Sequence, residues 1–459
     1  MRNSPFQVRY NREQIDWIDR RLRKHMARFG YTVIDTPIID QAALFLTRAG
    51  DQIIEKLYTF EYGGQQLALR PEFTAAAAYR YLTTCKQGEV VHWQFSGPVF
   101  EDEAHNIVRG AQRYSTGAEC IGMNGRIAEA EIIGMAALGL QEIGLENYQL
   151  ELGHVGLLRQ LLAPIGLDNR TERFILARRR LLRQPDGKAK IWAAFEQILL
   201  NDASEQYQAS QTDIDQTQQM VGAALQVARR SQTMGGRSQD EIARRLVRKQ
   251  QRAALREQVA EALKLLTKWV QLKGKPDAVM NQLKTMANGN EMALKTIAEW
   301  ESILHLLPHY GITANHIVLH PDLARSWDYY SGLVFELWND DTLIGGGGRY
   351  DDLIRLAGHD AAVPAVGFAY YTDVLARMLQ YSSEDKPCLT LLDGYGMADS
   401  AIQWAMALRA KGYCVVIRKT VDDADQATII TLTEDGKMLF DGKYYALDDL
   451  SALEQALWG

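Results

Sequence analysis

Cysteine is scarce: Cys85, Cys120, Cys388 and Cys414 are the four in 459 residues, no two at redox or metal spacing, and no histidine cluster accompanies them. The pattern excludes a disulfide scaffold and predicts buried thiols in a reducing compartment and no metal; no cofactor is expected either. Long apolar runs are missing as well. No stretch reaches about 18 apolar residues, and the start, Met1-Arg-Asn-Ser-Pro-Phe6, lacks an apolar signal core, so the expectation is a cytoplasmic protein with no membrane partner. Nor is there an excess of positive charge. Lys and Arg number 51 against 57 Asp and Glu, for a net charge of -6, which gives nucleic acid no general attraction. What is present is a chain 47% hydrophobic, ample for two or three domains with their own cores.

The richest stretch runs from Ala324 to Val374. It holds Arg325-Ser-Trp-Asp-Tyr-Tyr330, the strand-like Leu333 to Trp338, the glycines Gly345 to Gly348 leading into Arg349-Tyr-Asp351, and Pro364-Ala-Val-Gly-Phe368. An arginine, paired tyrosines, a β run and glycines that let backbone approach a ligand make the layout of a pocket for a small polar molecule.

Upstream, Ile15, Ile18, Leu22, Met26 and Phe29 share one face of a helix that Gly30 stops, and Tyr31 to Ile39 reads as a strand interrupted at Pro37. Leu57 to Glu61 and Leu67 to Leu69 pair around Gly63-Gly64, and the second runs into Arg70-Pro-Glu-Phe-Thr74 and an alanine-rich helix. By itself Glu72 reads as a carboxylate favoured at a helix start. Val90 to Phe100 and Ala118 to Gly122 read as two strands joined by a polar loop. Tyr148 to His154 alternates as a strand. From Leu167 to Leu307 helical patterns dominate, with a basic section that includes Arg229, Arg230, Arg237, Arg244, Arg245 and Arg256, read first as a solvated face and second as a contact for a partner or nucleic acid. A short α/β tail closes the chain.

These segments together resemble histidyl-tRNA synthetases of class II. The helix and Pro-bearing strand resemble motif 1, the Val90 to Gly122 hairpin motif 2, Ala365 to Val374 motif 3, and Arg325 to Tyr330 and Gly346 to Asp351 resemble two signatures of the histidyl branch. The resemblance implies an antiparallel α/β (α+β) sheet flanked by helices: core 1–166, helical insertion 167–307, core 308–381, and a reduced anticodon-binding-like domain 386–459. It also implies a homodimer through the core.

For the site, the resemblance puts Glu72 and Thr74 on the amino group of histidine, Glu119 on the imidazole, and Arg325 on the carboxylate, with Tyr329, Tyr330 and Tyr350 lining the pocket. Ser115 stands where the family has a histidine-contacting Gln. Glu103 and Arg109 match the ATP half, but Glu101 replaces the arginine that clamps the α-phosphate, Val374 replaces the one facing the γ-phosphate, and Tyr371 fills the place of a small glycine beside adenine. Two unit charges about 4 Å apart are worth about 4 kcal/mol at an effective dielectric of about 20, so the reversal at position 101 opposes phosphate binding strongly.

The resemblance is thus to a non-catalytic paralogue, most like the regulatory subunit of the short-form ATP phosphoribosyltransferase of histidine biosynthesis. Its expected partners are histidine or a similar amino acid and the phosphoribosyltransferase catalytic subunit. Two alternatives stand beside it: an active divergent synthetase or amino-acid ligase, and a tRNA-binding or scaffold protein without a small ligand. Bulk charge leaves tRNA the less favoured partner.

Overall fold

The computed structural model describes residues 11–46, 56–86, 88–101, 112–201, 239–323, 325, 329–359, 361–379, 388–420 and 428–458. Glu103, Arg109, Ala324, Ser326, Trp327, Asp328, Arg229, Arg230 and Arg237 lie outside the described residues, as do the side chains of Arg244 and Arg245. The chain divides into two compact units, Met1–Leu379 and Gln380–Gly459.

The first unit has eleven described strands: β1 (Thr32–Val33), β2 (Ile39–Gln41), β3 (Thr59–Tyr62), β4 (Gln65–Leu69), β5 (Val91–Phe100), β6 (Gln112–Ile121), β7 (Gln149–His154), β8 (Ile317–Leu319), β9 (Leu333–Asn339), β10 (Thr342–Arg349) and β11 (Ala365–Tyr371). Eight of them form one sheet in the order β1-β5-β6-β11-β10-β9-β7-β8. Its six inner strands pair antiparallel, and the short edge strands β1 and β8 add in parallel.

Helix Arg12–Arg28 packs on this sheet through Ile15, Ile18, Leu22 and Met26, all fully buried, because the 3.6-residue period puts them on one stripe. Asn11 accepts from the Glu13 amide at its start. The single strand expected over Tyr31 to Ile39 is two: β1 joins the large sheet, and β2 leaves it for a three-stranded sheet ordered β2-β4-β3. Pro37, with no amide hydrogen to give a ladder, lies between them. The β3–β4 turn has Gly63 at φ 59° and Gly64 at φ 75°, the pair of positive values that a two-residue type I′ hairpin needs.

A second difference bears on the pocket. The loop expected before Ala118 gives way to strand at Gln112, so Gln112 to Gly117 extend β6 opposite Ser115↔Gly97 and Arg113↔Val99. Their polar side chains read as a loop in the sequence. In the fold, Arg113, Ser115 and Thr116 are buried in the sheet.

Between Asn169 and Leu306 the described residues carry the α-helices Asn169–Arg178, Gly187–Asn201, Gln239–Trp269, Pro276–Met286 and Glu291–Leu306. Val259, Leu263, Leu266 and Trp269 bury one stripe of the long helix. Arg256, from the basic section, meets Glu196 through two bonds of 2.8 and 2.7 Å. No helix among the described residues is long and apolar enough to cross a membrane.

The second unit is a five-stranded sheet, β12 (Cys388–Leu392), β13 (Cys414–Arg418), β14 (Thr428–Leu432), β15 (Met438–Phe440) and β16 (Lys443–Tyr445), in the order β13-β12-β14-β15-β16. Helix Ala398–Ala410 buries Ala401, Trp404, Ala405 and Leu408 against it. Here one expectation fails: Cys388 and Cys414 are exposed, not buried, each being the first residue of its strand at the rim of the sheet.

Candidate functional site

A cavity opens on the large sheet where β6, β11 and β10 run side by side and the start of helix Thr74–Thr84 faces them. Glu72, Thr74, Arg325, Tyr329, Tyr330 and Tyr350 all line it, brought together from segments more than 200 residues apart. Glu119 does not. Its carboxylate lies beneath the floor at 1% exposure, where Oε1 accepts from the Thr74 hydroxyl at 2.7 Å and Oε2 from the Tyr350 hydroxyl at 2.6 Å. Glu119 thus fixes two of the lining side chains from behind.

Two glycines make room for buried side chains. A Cβ on Gly367, directly opposite Glu119 in the β6–β11 register, would sit 1.5 Å from Glu119 Oε2, and one on Gly346 would sit 2.0 Å from Arg325 Nη1. Gly346, in the glycine run, and Gly367, on the next strand, therefore leave space for the Arg325 guanidinium and the Glu119 carboxyl. Arg349, in the same run, turns elsewhere and pairs with Glu129 and Asp351 at 2.8 and 2.9 Å. Asp351 also accepts from the Ala365 amide at 2.9 Å, which ties β10 to β11.

Glu72 takes the amides of Thr74 and Ala75, the latter at 2.8 Å, so it caps the helix while facing the cavity. Burial raises its pKa. Arg325 donates to the Phe335 carbonyl at 3.2 Å and to the Tyr371 hydroxyl at 3.3 Å, and lies 3.7 Å from Glu336. Its Nε, buried, has no hydrogen-bond partner among the described residues. Burial pushes the Glu336 carboxyl up, with Arg325 opposing that rise.

The other end of the cavity is built differently. Tyr371 and Glu101 line it, together with Arg113, whose guanidinium stacks 4.2 Å over the Tyr371 ring and approaches Asp373 at 3.9 Å. Glu101 lies 3.5 Å from Lys56. Ser115 lines the wall and donates to the Tyr370 carbonyl at 3.2 Å. Val374 is not in the lining; helix Thr372–Met378 buries it in the main core at 6% exposure. Arg113, Glu336 and Lys56 went unnoticed in the sequence. The strand period carried the signal for two of them: Arg113 shares its face of β6 with Ser115, and Glu336 lies directly opposite Gly346 on the neighbouring strand.

Burial pushes the Glu119 carboxyl up to about 8 from its ordinary 4.5, against the lowering effect of the bonds from Tyr350 and Thr74. The folded chain then holds this proton more tightly than the unfolded chain, so the contribution to stability is full below the ordinary value and is lost as pH rises toward about 8. Glu119→Gln removes that slope. Its melting temperature relative to the parent should climb by several degrees between about pH 5 and about pH 8.5 in thermal unfolding scans; parallel curves would show that Glu119 is charged throughout.

Helices flanking an antiparallel sheet whose face carries a polar pocket make the class II aminoacyl-tRNA synthetase-like architecture. Two solved structures share this fold: the histidyl-tRNA synthetase of Nostoc sp. PCC 7120, with a TM-score of 0.66 at 14% identity over 99% of both chains, and a Bacillus halodurans protein described as an ATP phosphoribosyltransferase regulatory subunit/histidyl-tRNA synthetase, with a TM-score of 0.65 at 20% identity over 93% of this chain and 95% of that one. The model of the histidyl-tRNA synthetase family matches residues 9–231 and 186–375, and the chain belongs to that family. Among its relatives, the histidine–tRNA ligase of Methanococcus vannielii is 27% identical over 78% of this chain and 70% of its own length. That of Archaeoglobus fulgidus is 26% identical over 87% and 80%.

Proposed function

We propose that the chain is a non-catalytic member of its family that binds histidine or a similar amino acid and regulates a short-form ATP phosphoribosyltransferase. The observation that carries this reading is the asymmetry of the cavity. One end offers Arg325 to a carboxylate, Glu72 and Thr74 to an ammonium group, and three tyrosines to a ring. At the other, Glu101 takes the place of a phosphate-clamping cation, and Arg113 is committed to Tyr371 and Asp373. Phosphoryl groups need cations aimed at their oxygens, and among the described residues this end presents the Glu101 carboxylate and an arginine stacked on Tyr371.

Val374, buried in the core, leaves the γ-phosphate position without an arginine, and Tyr371 narrows the space for a base. Val33, Ile38 and Ile39, exposed after the first helix, support a homodimer through that face. The name carried by the Bacillus halodurans structure supports a phosphoribosyltransferase catalytic subunit as the partner. The basic insertion keeps tRNA as a secondary partner.

Titration calorimetry tests the amino-acid site. Histidine should bind with a Kd that changes less than about twofold when ATP is added, and histidine-dependent pyrophosphate exchange should be absent. Failure to bind at millimolar histidine would overturn the reading. A second reading, an active ligase, is favoured by one finding: the relatives quoted above are histidine–tRNA ligases matched over most of this chain. Robust exchange decides for it. Retention of tRNA with no histidine-dependent stabilisation would instead point to a scaffold. Co-purification with a short phosphoribosyltransferase is the positive test of the regulatory role.

A further inference from the structure

The two exposed cysteines of the second unit are neighbours. Cys388 opens β12 and Cys414 opens β13, and the two are direct partners in a parallel ladder. Adjacent strands lie about 4.7–4.9 Å apart, inside the Cα···Cα window of about 4.4–6.8 Å in which a disulfide closes without moving backbone. The sulfurs are already 2.8 Å apart. Carbon atoms in good contact keep about 3.5–4.0 Å, and sulfur is larger, so this pair is closer than plain packing would hold it. Leu389 and Val415, the next residues, are buried on the opposite face, and as register partners the two cysteines project to the same side, both exposed at the strand starts.

The other two thiols differ. Cys120 is fully buried in the core of the first unit, and burial pushes its thiol up to about 11. Cys85 is half-buried at the end of a helix.

We propose that Cys388 and Cys414 form a reversible dithiol/disulfide site that reacts with small disulfide oxidants of the glutathione class. One thiolate attacks the oxidant's disulfide, forming a mixed disulfide and releasing one glutathione thiol. The second thiolate attacks the protein-bound sulfur, closes the Cys388–Cys414 bond and releases the second glutathione. Two protein thiols are oxidised and one small disulfide is reduced to two thiols, so the electrons balance. The bond closes a loop across a separation of 26 residues and pins the start of β12 to β13, so the oxidation state sets the stability of this sheet. This assignment is independent of the amino-acid pocket.

The test uses the full chain, reduced and then equilibrated with oxidised glutathione. Intact mass should fall by two hydrogens, peptide mapping should join Cys388 to Cys414, and dithiothreitol should reverse both. Cys388→Ser and Cys414→Ser should each stop with one glutathione attached, whereas Cys85→Ser and Cys120→Ser should close the bond as the parent does. The oxidised parent should show the unfolding transition of the second unit raised by about 10 °C in calorimetry, and slower hydrogen exchange in β12 and β13. Glutathione left on the parent at either cysteine, or a bond to Cys85, would overturn the proposal.

Discussion

Arg325→Ala is expected to weaken histidine binding by at least about 100-fold. Charge-assisted hydrogen bonds contribute about 1.5–3 kcal/mol each, and about 1.4 kcal/mol is a tenfold change in Kd, so losing a two-pronged grip on a carboxylate accounts for that factor. The substitution also removes the cation 3.7 Å from Glu336, a carboxyl whose pKa burial has already raised, and so lowers stability. Two further variants separate binding from folding. Arg325→Lys keeps the charge and loses the planar fork, and should bind about tenfold more weakly than the parent. Arg325→Ala with Glu336→Gln should recover the melting temperature but not the affinity, because it removes the stranded charge without restoring a cation or its planar fork of donors. Calorimetry and thermal scans on the three variants give the result. Parent-like binding by Arg325→Ala would place the ligand carboxylate elsewhere in the cavity.

Much of the fold was legible because its signals are local. The first helix showed its stripe from Ile15 to Met26, the β3–β4 hairpin its Gly63-Gly64 turn, and the histidyl signatures around Arg325 and Gly346 named the family before any contact was known. What stayed hidden depends on partners distant in sequence. The resemblance puts Glu119 on the imidazole, but nothing local shows that Thr74 and Tyr350 bond to its carboxylate, which depends on the β6–β11 register and the approach of helix Thr74–Thr84. The strand from Gln112 to Gly117 is hidden in the sequence because polar residues buried in a sheet look like residues facing water. The cysteine pair was invisible for the same reason: a separation of 26 residues says nothing until two parallel strands bring both ends to one rim.

The closest packing in the pocket gives the other large effect. Gly367→Ala should cost about 3–9 kcal/mol and abolish histidine binding. The added methyl would lie 1.5 Å from Glu119 Oε2, 2.4 Å from Glu119 Cδ and 2.8 Å from the Ala118 carbonyl oxygen. The backbone cannot yield easily, since β11 is held by β6 on one side and β10 on the other. Glu119 must move instead, and at 1% exposure it has nowhere to go without breaking its bonds to Thr74 and Tyr350. Overpacking costs about 1–3 kcal/mol, and each buried donor left without its acceptor about 1–3 kcal/mol more. Gly394→Ala, where a methyl meets nothing within 4 Å, is the control and should leave stability within about 0.5 kcal/mol. Glu119→Ala in the Gly367→Ala background vacates the colliding space, so the double variant should be more stable than Gly367→Ala alone, a non-additivity expected only if the two side chains compete for one volume. It should still fail to bind histidine, because Thr74 and Tyr350 would have lost the carboxylate that orients them. A Gly367→Ala protein with parent stability would show that Glu119 can leave the floor of the pocket without loss.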